Sequence, residues 1–306
     1  MADTAAHLID RVLPLVPVRQ WVLSVPHALR YRLAYDASML AAVMRIFSRV
    51  VFQSLRRRAR EYGIPRGQCG AVTFVQRFGS ALNLHVHGHM ICIDGIYAAL
   101  EGEAPRFYPL GAPDQKEVEW VAQNVALRTA ALLESGGDGE EDRVAHEQPW
   151  LAGVYAAGVS GRVATGTRAG RRVQTAGVDL DEGGEGNGSG PRCANVAGFS
   201  VHANVAMRAG DRDRIEKLCK YAARPPLANE RLERLADGRL AYRMKTPWRD
   251  GTTHVLMEPG ELLEKLAALR AATAYGQRAV LKGGHADERE TYRYSSGRNR
   301  RSRTAI

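Results

Sequence analysis

Residues 82 to 93 read Leu82-Asn83-Leu84-His85-Val86-His87-Gly88-His89-Met90-Ile91-Cys92-Ile93, and this stretch predicts a β-strand. Alternate side chains of a β-strand point to the same face, so the three histidines share one face and apolar side chains occupy the other. Side chains two residues apart lie about 6.6 Å from each other, which lets the neutral imidazoles of His85 and His87 converge on one cation. We therefore expect a metal site at His85 and His87, and His89 continues the same face beyond them.

The composition is typical of a globular protein. The chain has 306 residues, of which 45% are hydrophobic and 25% are charged, so it can bury a core in one or two domains. It has no run of about 18 apolar residues, and its first ten residues lack the pattern of a secretory signal. Its four cysteines include no C-x-x-C pair, which argues against a disulfide framework and a four-thiolate zinc site. We expect a cytoplasmic protein without a membrane segment.

The positive charge of the chain indicates a polyanionic partner. The formal net charge is +10 at pH 7, which favours nucleic acid over a membrane surface because no basic amphipathic helix with a strong apolar face is present. Residues 271–306 hold eight Lys or Arg against three acids and are predicted to form a disordered basic tail.

The pattern of apolar residues and turns predicts a mixed chain of helices and strands. The predicted helices are 4–15, 36–62, 117–133, 211–223 and 259–268, and the predicted strands are 20–25, 69–78, 82–93, 198–207, 239–245 and 252–257. Because short turns join some of these strands and helices join others, an α+β fold with a central antiparallel or mixed sheet flanked by helices is favoured over a doubly wound parallel sheet.

Four segments organise the chain along its length. Residues 1–134 and 193–270 are predicted to be the two halves of one domain, with the histidine motif in the first half. Between them, residues 135–192 hold 14 of the 31 glycines together with acidic clusters, which predicts a flexible insertion without chemistry. The basic tail, 271–306, completes the chain.

A tyrosine near the end of the predicted helix 211–223 is the second candidate for chemistry. Tyr221 falls on the edge of the buried stripe of this helix, close to cations at Arg214, Lys217 and Arg224. Cationic neighbours favour the phenolate and can hold a phosphodiester against its oxygen, so Tyr221 is a candidate nucleophile. Lys220 and Arg224 are candidate phosphate contacts. A histidine-held divalent cation would neutralise charge on the phosphate oxygens during such an attack.

These residues resemble those of the HUH (histidine, hydrophobic residue, histidine) endonucleases, and within them the rolling-circle insertion-sequence transposases. The resemblance covers roughly residues 4–270 and rests on four segments in order: 82–95 with His85-Val86-His87, 198–203, 219–227 with Tyr221, and 245–254. It implies a relaxase-like antiparallel sheet with the paired histidines on a central strand, and Mg²⁺ or Mn²⁺ at the site. It also implies a 5′-phosphotyrosine intermediate at Tyr221, a released 3′-hydroxyl, and single-stranded DNA at transposon ends as the partner.

Three departures from the family pattern refine this expectation. Two-tyrosine members carry another tyrosine four residues before the one matched here, where this chain has Lys217, so it resembles the single-tyrosine branch. The cysteine-rich zinc ribbon that often precedes the domain is not seen at the start of the sequence. Residues 270–306 also leave the family pattern, which is typical of a truncated copy.

Alternatives remain open at this point. His202 is a candidate third metal ligand, because it lies on the same strand face as Ser200 and Asn204. A zinc-dependent hydrolase could instead use His85, His87 and His89 with a water nucleophile, although no glutamate base lies nearby in an H-E-x-x-H pattern. A third possibility is an inactive DNA-binding remnant of a transposase.

Overall fold

The computed structural model describes residues 2–99, 104–135, 142–177, 190–248 and 250–270. Its helices are α1 (Ala2–His7), which runs into a π-helical segment (Leu8–Val12), α2 (His27–Tyr35), α3 (Ala37–Glu61), α4 (Gln115–Ser135), α5 (Arg143–Glu147), α6 (Pro149–Ser160), α7 (Arg212–Ala222) and α8 (Pro259–Arg270). Its strands are β1 (Val18–Ser24), β2 (Ala71–Phe78), β3 (Leu84–Ile93), β4 (Gly95–Ala98), β5 (Arg106–Pro109), β6 (Gln174–Gly177), β7 (Cys193–Val196), β8 (Phe199–Met207), β9 (Leu232–Arg234), β10 (Leu240–Arg243) and β11 (Thr252–Met257).

A five-stranded antiparallel sheet forms the centre of the molecule. Its strand order is β2-β3-β1-β8-β7, so β3 lies between β2 and β1. The register places Phe74 of β2 and Val22 of β1 opposite His89 of β3. The predicted α+β fold with a central antiparallel sheet flanked by helices is therefore confirmed.

Helices α3 and α4 cover one face of this sheet. Asp36 caps α3 by accepting a hydrogen bond from the Met39 backbone amide at 2.8 Å. Side chains such as Val43, Phe47 and Val51 of α3 are fully buried against the sheet and α4. By length and composition α3 could cross a membrane, but its apolar stripe belongs to the core, as in the central helix of many globular domains.

The opposite face of the sheet is covered by the N-terminal helical segment and by α7. Ile215 and Leu218 of α7 pack against Val72, Phe74 and Ile91 of β2 and β3. This is the face that carries the three histidines, because odd-numbered residues of β3 point to it. Burial of its apolar stripe therefore holds α7 directly over the histidine strand.

A second, four-stranded antiparallel sheet has the order β6-β11-β10-β9. Leu82, in the turn between β2 and β3, enters its core with Tyr242 and Val255 and is 1% exposed. Leu82 has a φ of +57°, a left-handed conformation that costs a non-glycine residue about 1–2 kcal/mol. Burial of the leucine side chain offsets this cost and attaches the second sheet to the start of the histidine strand.

The structure differs from the prediction that 135–192 is a flexible insertion. Residues 142–177 contain α5, α6 and β6, and Leu151, Val154 and Tyr155 of α6 are buried with Leu84 of β3 and with α8. The high glycine content of this region led to the prediction of a flexible segment, although it includes the apolar helix α6. Burial of α6 against the rest of the molecule orders this segment. Residues 136–141 and 178–189, to which the remainder of this prediction applies, lie outside the described residues, as does the predicted basic tail from 271 onward.

The other predicted elements agree with the structure to within a few residues, with the N-terminal one divided between α1 and its π-helical continuation. Helix α2 was not predicted, because its sequence has no clear amphipathic period.

Candidate active site

Three imidazoles lie in a row along the N-terminal part of β3. The ring centroids of His85 and His87 are 5.0 Å apart, and those of His87 and His89 are 4.9 Å apart. His87 is 9% exposed and His89 is 4% exposed, whereas His85 is partly exposed at the outer end of the row. The ring centroids are thus closer to each other than the distance of about 6.6 Å between side chains two residues apart on a strand.

Burial keeps these imidazoles neutral at pH 7. It lowers the pKa of His85 to about 3, of His87 to about 4 and of His89 to about 3, and a hydrogen bond between the His87 ring and the His85 carbonyl partly opposes this effect on the pKa of His87. The positive charges of Arg224 and Arg30 also lower the pKa of His87. A neutral imidazole carries a lone pair for a cation, and the two guanidinium groups favour an anion beside it.

His89 has the polar surroundings of a ligand-binding group. Gln20 Nε2 of β1 lies 2.8 Å from His89 Nδ1, and His89 Nε2 is buried without a hydrogen-bond partner. If the carboxamide of Gln20 turns over, its oxygen accepts from Nδ1–H and leaves a free lone pair on Nε2. With the carboxamide turned in this way, Gln20 would orient His89 as a neighbouring amide or carbonyl orients a metal-binding histidine.

Tyr221 lies directly beside the inner end of the histidine row. Its ring centroid is 5.6 Å from that of His89, and the two rings meet edge to face at 82°. The Arg224 guanidinium lies 4.6 Å from the Tyr221 ring centroid, and Lys245 Nζ, from the segment after β10, lies 4.3 Å from it. One cation from the same segment as Tyr221 and one from the segment after β10 therefore lie against its ring.

A buried glutamine connects the tyrosine helix to the histidine strand. Gln76 of β2 is the register partner of His87, and its Nε2 donates to the carbonyl oxygens of Tyr221 at 3.0 Å and Ala222 at 2.8 Å. These carbonyls lie at the C-terminal end of α7, where helices leave backbone acceptors without partners. The position of Tyr221 is thus tied to the strand beside the histidines.

The structure separates the other predicted cations from this centre. Lys220 Nζ is 2.6 Å from a Glu216 carboxylate oxygen, so its charge is paired on the exposed side of α7. Arg214 pairs with Asp211 at 3.4 Å. Of the residues predicted around Tyr221, Arg224 is the cation that contacts its ring.

His202 faces the same side of the sheet as the row but lies two strands away. It pairs with Val22 of β1, which in turn pairs with His89, so about 10 Å separates the two histidine backbones. In the part of the chain that the structure describes, no three His, Cys, Asp or Glu side chains form a group that could hold a metal ion. His202 is therefore not brought to the histidine row, and the row itself offers pairs of imidazole donors.

Sequence reasoning missed Gln20, Gln76 and Lys245 as members of this site. Gln20 and Gln76 are polar residues among apolar ones on the histidine face of their strands. This break in the apolar pattern is the sequence feature that could have indicated a functional role for both. Lys245 opens the segment 245–254 that carried the family resemblance, but its position beside Tyr221 depends on the packing of the second sheet.

Comparison with known protein families identifies the chain as a transposase, a class of enzyme that processes DNA. Residues 70–271, about two thirds of the chain, match the model of the Y2_Tnp transposase family, and the chain belongs to this family. The match spans β2, β3, α7 and the segment with Lys245. No curated protein and no solved structure matches the chain.

Proposed function

We propose that this transposase nicks and rejoins single-stranded DNA through a 5′-phosphotyrosine at Tyr221, as in rolling-circle transposition by the single-tyrosine HUH enzymes. The observation that carries the proposal is the edge-to-face contact of Tyr221 with His89 at 5.6 Å, with Arg224 against the same phenol. A nucleophile, imidazole donors and a cation for the phosphate are thus together on one face of the sheet.

In the proposed reaction each bond that forms replaces a bond that breaks, so no external energy source is needed. The Tyr221 oxygen bonds to phosphorus and its proton passes to solvent, while the bond from phosphorus to the 3′-oxygen breaks and the 3′-oxygen takes up a proton. Attack by a 3′-hydroxyl on the phosphotyrosine reverses these changes and rejoins a strand. The phosphodiester energy is retained in the protein–DNA bond, so rejoining needs no ATP.

The side chains of this site have separable tasks in the proposed reaction. Arg224 and Lys245 hold the negatively charged phosphate beside Tyr221. Gln20 orients His89, and Gln76 positions the backbone of Tyr221. We keep Lys220 as a peripheral phosphate contact, since it is exposed but paired with Glu216.

The histidine row fits a divalent cation. The donors are neutral at pH 7, they are adjacent in pairs, and His89 Nε2 is a buried nitrogen without a partner. His87 would bind Mg²⁺ or Mn²⁺ together with either His85 or His89, and the contact of His89 with Tyr221 favours His89. Such a cation would supply Lewis-acid polarisation of the phosphate oxygens.

The proposal is tested by incubating the full chain with labelled single-stranded oligonucleotides that tile both strands of the DNA flanking its gene, in Mn²⁺. We expect a protein–DNA adduct that survives denaturing electrophoresis, is removed by protease and is lost with a chelator. Binding without an adduct on any oligonucleotide would instead identify a DNA-binding remnant. Cleavage without an adduct would indicate a hydrolase with a water nucleophile, such as the zinc-dependent alternative.

The contact of Gln76 with α7 leads to a prediction about positioning. Gln76→Met keeps the size of the side chain but removes the donor to the Tyr221 and Ala222 carbonyls. We expect the rate of adduct formation to fall by about 10- to 100-fold, because small misplacement of a reacting group costs this much, while affinity for single-stranded DNA stays nearly constant. Single-turnover rates and fluorescence anisotropy measure the two quantities.

A matched control for Gln76→Met is Gln123→Met, which changes an exposed glutamine on α4 at the opposite face of the sheet. Equal loss of rate, affinity and thermal stability in Gln76→Met would show that Gln76 supports the fold without a specific effect on Tyr221.

A further inference from the structure

The turn between β10 and β11 carries Lys245 and Trp248. The Met244 amide donates to the Thr253 carbonyl at 2.8 Å, and the Trp248 amide donates to the Thr252 carbonyl at 2.9 Å. Gly251, with a φ of +82°, donates to the Trp248 carbonyl at 3.0 Å. These bonds extend the hairpin beyond its strands.

The first residue of this turn is in contact with the candidate nucleophile. Lys245 is exposed, its Nζ lies 4.3 Å from the Tyr221 ring centroid, and the described residues offer it no carboxylate partner. The lysine charge is therefore available to a phosphate that approaches the phenol.

Trp248 lies three residues further on and presents its indole to solvent. It is 42% exposed, whereas Trp21 in the core is 1% exposed. Three residues of chain span at most about 11 Å, so the Trp248 backbone lies no further than this from the backbone of Lys245, whose side chain reaches the Tyr221 ring. A nucleobase is a planar partner that stacks on an indole open to solvent.

We propose that this turn is a single-stranded DNA clamp, in which Lys245 contacts a backbone phosphate and Trp248 stacks on an unpaired base beside the phosphate that Tyr221 attacks. The inference rests on the proposed function and adds the group that recognises an unpaired nucleotide. Stacking needs a free base face, which single-stranded DNA offers and a base-paired duplex conceals. The clamp would thus select unpaired DNA without reading its sequence.

Abasic scanning tests the stacking contact. The probe is a fluorescent single-stranded oligonucleotide, with variants that each lack one base, and affinity is measured by anisotropy. We expect Trp248→Ala to weaken binding of the intact oligonucleotide by about 5- to 150-fold, and Trp248→Phe to restore most of the affinity. At one position, removal of the base should weaken binding to the original chain but not to Trp248→Ala.

The matched control is Trp150→Ala, which removes another exposed indole, 64% exposed, at the start of α6. We expect it to bind every oligonucleotide like the original chain. If Trp248→Ala loses affinity equally at all abasic positions, or binds as tightly as the original chain, the stacking contact is refuted.

The lysine contact has its own measurement. Lys245→Gln should reduce the slope of log affinity against log salt concentration by about 0.7, the value for one phosphate contact on a single strand. An unchanged slope would remove Lys245 from the clamp. These binding measurements do not depend on whether Tyr221 is the nucleophile. If Trp248→Ala forms adduct and binds DNA like the original chain, the clamp alone is refuted. If the stacking contact is found but no adduct forms, the proposed nuclease reaction alone is refuted.

Discussion

Tyr221→Phe is expected to abolish the covalent protein–DNA adduct while single-stranded DNA binding is retained. The substitution removes the phenol oxygen and keeps the ring, so the edge contact with His89 and the contacts with Arg224 and Lys245 can persist. Loss of a catalytic nucleophile lowers the rate by at least about a thousand-fold. Denaturing electrophoresis of a labelled oligonucleotide after incubation in Mn²⁺ measures the adduct, and anisotropy measures the affinity.

Tyr62→Phe is the matched control for this experiment. Tyr62 is an exposed tyrosine at the end of α3, on the side of the sheet opposite the histidine row. It should form adduct at the rate of the original chain. If Tyr221→Phe forms as much adduct as Tyr62→Phe, another residue is the nucleophile and the assignment of Tyr221 fails.

His87→Ala is expected to have the second largest effect, because His87 is the one histidine adjacent to both of the others in the row. Its loss removes a donor from either candidate pair of metal ligands. We expect metal-dependent adduct formation to fall by more than about 100-fold, since even groups that only orient metal ligands are worth 10- to 100-fold. Calorimetric titration with Mn²⁺ should show the loss of the same site.

Two further substitutions identify the partner of His87. If the pair is His87 with His89, as the position of Tyr221 favours, His89→Ala should lose Mn²⁺ binding and His85→Ala should retain most of it. The opposite result would assign His85 and His87. His202→Ala serves as the control, because the register places His202 two strands away from His89.

Thermal melts of these variants, with anisotropy on single-stranded DNA, separate loss of the metal site from loss of the fold. His87 is buried, so its removal leaves a cavity and lowers stability to some extent. If His87→Ala remains folded, binds DNA and still forms adduct at the original rate in Mn²⁺, the histidine row is not the metal site.

Much of the fold could be predicted because its principal elements carry local signals. Alternation of polar and apolar residues marked β3, and the apolar stripe with an Asp36 cap marked α3. Paired prolines marked the end of α7. The helix α6 has no such signal, because it is apolar on most sides and is surrounded by glycine-rich sequence.

Local periodicity was sufficient for the sequence to place three imidazoles on one face of a strand and a tyrosine at the edge of a helix, because each depends only on neighbouring residues. Which histidine meets Tyr221, and which glutamines and lysine surround them, was decided by tertiary structure alone. His89 and Tyr221 are brought together by burial of the α7 stripe on the sheet, and Lys245 by the attachment of the second sheet through Leu82. These distances arise from packing between segments far apart in the chain, and the local pattern of residues does not determine such packing.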